Sequence, residues 1–286
     1  MISFAPDYYD RMRIDAHQHF WDLDRFDYPW MPAGPSPLRR NFLPSELLPH
    51  LQNHKFEGSV VVQAHQSLEE AHWLLGLAAN NEFIKGVVAW ADLTDPKIGE
   101  TLDDLQRDPH FKGVRHLVHD EPDPRWLLRA DVLHGLRALE ERGIPYDLLL
   151  RPIHLPIVPV LAEKLPELRM VIDHIAKPSI STGAFDHWAR LMEPIFPIPN
   201  IYCKLSGMIT EAPWHNWSAS DLRPYVNFVF KGFGPGRLMY GSDWPVCLLA
   251  GTWKEVLAAC TQALGPLPMD VREQILGGTA VQFYRL

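Results

Sequence analysis

Cysteine is scarce in this chain. Cys203, Cys247 and Cys260 are the only three in 286 residues, with no Cys-x-x-Cys spacing and an odd one left over. That excludes a disulfide framework and a thiolate metal knuckle, and fits free thiols in a reducing compartment. Basic runs are also missing. The net charge is -8 and the pI about 5.9, which argues against nucleic acid or an acidic membrane as partner. No apolar run approaches the roughly 20 residues that a membrane span needs. The N-terminus carries acids and no apolar signal core, so the expectation is a soluble, cytoplasmic protein. Internal repeats and low-complexity tails are absent too, and no domain boundary stands out. The cluster Gly232-Phe233-Gly234-Pro235-Gly236 precedes an apolar run instead of following one. A phosphate-cradling loop needs the opposite order, so this cluster reads as a turn.

What is present is alternation. Short apolar runs at 13–19, 58–64, 84–90, 113–116, 145–150, 169–174, 201–206 and 237–243 read as strands. Helical stretches follow most of them, near 68–80, 98–106, 132–142, 157–165 and 222–231, and two or three closing helices cover 253–284. Eight strand-helix units in fewer than 300 residues predict one (β/α)₈ barrel domain over 1–286. The strands are nearly continuous in apolar residues, as strands buried on both faces should be. A doubly wound open sheet has the same local pattern, so periodicity alone leaves both architectures open. The 26 prolines predict stiff connections, the longest being the aromatic-containing loop 21–44, placed over the barrel mouth.

Polar residues gather at the C-terminal ends of these strands: His17 and His19, Gln63, Arg115 and His116, Asp173 and His174, Lys204 and Ser206, Ser242 and Asp243. In a barrel all these ends open on one mouth, where active sites sit. His17 and His19 alternate with Gln18 on a strand and so share a face. Three imidazoles with one carboxylate, His17, His19, His174 and Asp243, suit one divalent metal, Zn²⁺ above all, with a position open for water. Two other readings stand beside this one: His174 as a core histidine, and Asp243 as a cap before Trp244-Pro245. Gln63, Arg115, His116 and Lys204 are candidate partners for substrate hydroxyls or a ring oxygen, and Lys204 could instead pair with Asp173 in the interior. Trp21, Tyr28 and Trp30 could cover a sugar ring, as could Trp214, His215 and Trp217 from the other side; packing of the rim explains them equally well. His50, His54, His72 and His134 fall in helical stretches and read as solvated.

Three stretches carry a resemblance: Ile14-Asp15-Ala16-His17-Gln18-His19-Phe20-Trp21, Asp173-His174-Ile175-Ala176-Lys177-Pro178 and Tyr240-Gly241-Ser242-Asp243-Trp244-Pro245-Val246. Together they resemble the amidohydrolase superfamily, and within it the branch of sugar lactonases acting on L-fucono- and L-rhamnonolactones. The likeness runs from Met12 to about Tyr284. The first motif is shared widely among metal-dependent hydrolases, and the other two are narrower. The resemblance implies a (β/α)₈ barrel, hydrolysis of a small-molecule sugar lactone, Asp243 as general base on the attacking water, and His17, His19 and His174 around that water or a metal. It leaves the oligomeric state open. The chain departs from the wider superfamily in having no lysine at the end of strand four, where Arg115 and His116 stand, and no histidine at the end of strand five, where Arg151 follows Leu150. Both departures argue against a two-metal site. A lactone is activated compared with an amide, so even the single ion is dispensable in principle. Decarboxylation of a small acid, with Arg115 and Arg151 as clamps, and passive binding of a sugar acid are the alternatives.

Overall fold

A computed structural model describes residues 12–31 and 34–286. Its eight strands form one sheet in chain order, each paired in parallel with the next: β1 (Ile14–Gln18), β2 (Gly58–Val62), β3 (Ile84–Ala89), β4 (Phe111–His116), β5 (Tyr146–Leu148), β6 (Met170–Ile172), β7 (Ile201–Leu205) and β8 (Leu238–Tyr240). Closure comes just beyond the end of β8. Asp243 N donates to His17 O at 2.8 Å, His19 N donates to Trp244 O at 2.7 Å, and Gln18 pairs with Trp244 in parallel. The sheet is therefore a barrel and not an open doubly wound sheet.

Around it run α1 (Pro44–Asn53), α2 (Leu68–Ala79), α3 (Ile98–Leu105), α4 (Ala130–Glu141), α5 (Val158–Lys164), α6 (Phe185–Met192), the short α7 (Met208–Glu211), α8 (Ala219–Phe233), α9 (Trp253–Leu264), α10 (Met269–Glu273) and α11 (Thr279–Tyr284). Local chemistry starts several of them. Ser67 accepts from Glu70 N ahead of α2, Thr252 and Glu255 form a reciprocal capping box ahead of α9, and Pro44 opens α1. The apolar pattern gives no range for α6 or the short α7, whereas α1 holds His50 and ends just before His54, as the helical reading of that stretch expects. Gly234, at φ 71°, ends α8, so the glycine cluster there is a turn, as expected.

Two apolar layers result. Ile14, Ala16, Val60, Val62, Val88, Val171 and Met239 fill the inside of the barrel, and Phe283 and Tyr284 of α11 join them. A larger layer packs the outer strand faces against the helices and includes the loop residues Trp21, Tyr28 and Phe42. Ile14 and Ala16 face inward, yet so do His17 and His19 beyond them. The pairing of β1 with β2 shifts register between Asp15 and Gln18, and that irregularity changes the phase of the strand. The long loop is pinned at its base by paired bonds between Trp21 and Phe42 of 3.1 and 3.0 Å.

Candidate active site

His17, His19 and Asp243 meet at the mouth. His17 Nε2 lies 3.2 Å from His19 Nε2, and Asp243 Oδ1 lies 3.4 Å from His19 Nε2 and 3.9 Å from His17 Nε2. The closing bonds of the barrel set this proximity, since they tie Asp243 to the backbone of β1 on both sides. Asp243 adopts φ 55°, a left-handed conformation that turns its carboxylate back toward the histidines. The cap reading of Asp243 is thereby corrected. Ser242 Oγ, not the Asp243 carboxylate, accepts from Trp244 N, at 3.1 Å. Gly241 makes the approach possible, because a Cβ there would lie 2.6 Å from the His17 Cβ.

His174 joins from the β6 end. Its ring centre is 4.4 Å from that of His17 and its Nε2 is 4.0 Å from Asp243 Oδ1, while Ser206 Oγ holds its Nδ1 at 2.9 Å. It lines the cavity beside Asp243, where a core histidine would not. Its donor nitrogen lies farther out than the others: His17, His19 and Asp243 form one compact donor group, and His17, Asp173 and His174 form another.

Hydrogen-bond partners assign the tautomers. His19 Nδ1 meets Val62 O at 2.7 Å; a carbonyl only accepts, so Nδ1 carries the proton and Nε2 presents a lone pair. Arg115 Nη1, a donor only, lies 3.3 Å from His17 Nε2, which therefore also presents a lone pair. Burial holds the imidazoles neutral, pushing His17 and His174 well below the usual histidine range and His19 below it. Burial pushes the Asp243 carboxyl up, but its charged surroundings, the Lys177 ammonium among them, more than reverse this, so the net direction is down and Asp243 is a carboxylate. Two imidazole lone pairs and a carboxylate oxygen thus face one another within 4 Å. Such a group is stable only with positive charge beside it or among it. Arg115 supplies part of that charge, and the donor set fits one divalent metal ion.

Beneath His17 lies a buried ion network. Lys204 Nζ contacts Asp147 Oδ2 at 2.5 Å, Asp173 Oδ1 at 3.0 Å and His17 Nδ1 at 3.2 Å. Arg115 adds Asp173 Oδ2 at 3.1 Å and the Gln63 carbonyl at 2.5 Å. Burial raises Asp173, but Lys204, His17 and Arg115 more than reverse this and hold it well below the carboxylate range. Lys204 is fully buried, so the ion-pair reading of this residue is the correct one and its role as a hydroxyl partner is withdrawn. Gln63 sits under the floor with its Nε2 on Arg115 O. His116 is stacked on Trp126, with Glu121 on its Nε2 at 2.6 Å and Trp90 on its Nδ1. Neither lines the cavity.

The cavity itself is about 300 Å³. His19, His174, Asp243 and Arg115 form its reactive wall; Trp30, Leu117, Leu149 and Val246 give it apolar faces. Trp30 is fixed by its Nε1 bond to Ala64 O at 2.8 Å. Trp21 and Tyr28 are buried in the outer layer, and Trp217 bonds to Ala250 O, so of the six loop residues proposed as sugar covers only Trp30 reaches the cavity. His119, Asp120, Arg151 and Lys177 complete the wall; of these the sequence points to Arg151 alone, as a clamp in the decarboxylase alternative. All four stand three to five residues beyond strand ends, where loop geometry decides direction. Burial, with Lys177 and Arg151 adding to it, lowers His119 to about 3.

The amidohydrolase family model matches residues 14–286. The chain is 38% identical over 281 residues to an L-fucono-1,5-lactonase of Burkholderia ambifaria, with 96% of each chain covered. It is 36% identical to one of Burkholderia multivorans, again with 96% of each covered. A crystal structure of a Burkholderia multivorans amidohydrolase with bound zinc superposes with a TM-score of 0.90 at 36% identity, covering 96% of this chain and 99% of that one. Full-length match, barrel and histidine-aspartate cluster agree: the chain belongs to the amidohydrolase family.

Proposed function

We propose that the protein hydrolyses a sugar lactone, with L-fucono-1,5-lactone as the first substrate to test, to the open sugar acid. The observation that carries this reading is the Asp243 carboxylate, which stands among neutral imidazoles on the wall of a cavity with room for one sugar ring. All three imidazole contacts of Asp243 fall on Oδ1. Its other oxygen takes the proton of the attacking water. Trp30 packs on the C–H face of the ring, and His119 and Asp120 meet its hydroxyls. Gln63 and Lys204 act from behind the wall: Lys204 holds Asp173, which accepts from the His17 ring, and Gln63 holds Arg115.

One Zn²⁺ fits His17, His19 and Asp243, with His174 beside it; it would supply Lewis-acid polarisation of the lactone carbonyl. The ester is activated enough that chelation should slow the reaction less than loss of Asp243 does. Metal content measured on wild type and on His17→Ala, alongside rates before and after chelation, checks that order.

A panel of aldonolactones in a pH-stat tests the function. Acid release supports it, whereas alkalinisation with loss of CO₂ would turn the reading to a decarboxylase. Asp243→Asn should lower kcat by about 10³-fold, in the range of general base catalysis; a normal rate in that variant refutes the assignment.

A further inference from the structure

The chain runs left-handed for four consecutive residues: His174 at φ 53°, Ile175 at 47°, Ala176 at 61° and Lys177 at 49°. None is glycine, so each costs roughly 1–2 kcal/mol. Such a run persists only where its surroundings enforce it. Trp188 Nε1 holds Ile175 O at 2.8 Å, Lys177 N returns to His174 O at 2.8 Å, and Ser206 holds the His174 ring. Its two middle residues are fully buried, and its two ends, His174 and Lys177, both line the cavity.

Three cations stand on that wall. Arg115 is committed to Asp173, His17 and the Gln63 carbonyl. Arg151 is exposed at the rim. Lys177 is partly buried, and the contact its ammonium makes is with Glu211 Oε1 at 3.4 Å, long for an ion pair. It can leave that contact for a substrate oxygen at little cost.

We propose that Lys177 is a catalytic residue whose ammonium receives the substrate's carbonyl oxygen, stabilises the negative charge gathered there during attack, and then holds the product carboxylate. The inference rests on the lactonase reading of the cavity and deepens it. Water's oxygen bonds to the carbonyl carbon while its proton passes to Asp243. The carbon–ring-oxygen bond then breaks, the departing oxygen takes the proton back from Asp243, and the new carboxyl group loses the second water proton to solvent, which leaves the carboxylate. Lys177 forms no covalent bond and gives up no proton; it acts as a fixed charge in a poorly solvated site.

The test compares wild type, Lys177→Met and Lys177→Arg in the pH-stat, with melting curves as the check on folding. Removal of one such charge partner should lower kcat by roughly 10²–10³-fold, with at least tenfold restored by arginine. Binding supplies a readout that a merely structural role would not move. The sugar-acid product should bind Lys177→Met at least tenfold more weakly than wild type by calorimetry, while the neutral alditol binds both within twofold. If Lys177→Met melts early, Lys177→Gln carries the same comparisons. A kcat within threefold of wild type, or equal losses for the anion and the alditol, overturns the proposal. If wild type turns over no lactone, the functional reading fails, and the calorimetric comparison still judges Lys177 separately.

Discussion

Each histidine of the cluster has one nitrogen already engaged: His19 with Val62 O, His174 with Ser206 and His17 with Asp173. This fixes ring orientation and leaves the other nitrogen for the chemistry. A second residue-level device lies behind Trp30. Glu70 is fully buried, and its Oε2 accepts from Ala64 N and His65 N at 3.0 and 2.9 Å; Ala64 O in turn holds Trp30. Burial raises the Glu70 carboxyl to about 8, against an ordinary value near 4.5. The folded state therefore holds a proton that the unfolded chain has lost across this window, and stability falls as pH rises from about 4.5 to 8. Glu70→Gln keeps the acceptor and removes the titration. It should melt within about 1 °C of wild type at pH 4.5 and roughly 3 °C or more above it at pH 8. Equal shifts at both pH values would sink this account.

Among the elements, the strand ends matter most. The motifs at the ends of β1 and β8 could be read from residue types, because a His-x-His on a strand and an Asp after an apolar run already suggest a site. Direction could not be read. The register shift in β1, the left-handed run after β6 and the left-handed Asp243 all depart from regular strand geometry. Trp21, Tyr28 and Trp30 are alike by composition, yet only Trp30 reaches the cavity, since backbone pairing of Trp21 with Phe42 turns the other two into the outer layer. Gly207 shows how tight these ends are. It sits at φ 59°, and a Cβ there would lie 2.5 Å from His174 Nδ1. Gly207→Ala should therefore displace the His174 ring, cost about 1–3 kcal/mol of stability and lower kcat beyond what that loss explains. Urea unfolding and steady-state kinetics on the same preparation separate the two effects.

On the scale of the whole molecule, the end of the chain reaches the site. Tyr284 of α11 enters the barrel interior, and its hydroxyl donates toward Asp147 Oδ2 at 2.7 Å and Oδ1 at 2.9 Å. Asp147 holds Lys204, Lys204 holds Asp173, and Asp173 accepts from His17 Nδ1. Burial raises the Asp147 carboxyl even beside Lys204, so its remaining donor matters. Tyr284→Phe should cost roughly 1.5–3 kcal/mol, the range for a hydrogen bond to a charged group, read as a lower urea midpoint with an unchanged slope. A neutral result would mean that the network does not depend on α11.

Alternation of apolar runs and helices was enough to specify a strand-helix repeat of eight, and residue types at the strand ends were enough to point to a cluster of imidazoles and a carboxylate. Those are local properties, set by side-chain period and donor identity. Closure of the barrel, the partners that neutralise Lys204 and Arg115, the burial that keeps three imidazoles uncharged and the entry of Lys177 into the cavity were decided only by tertiary structure. Each of them depends on which distant segments share a few ångströms, and on how little water is left between them.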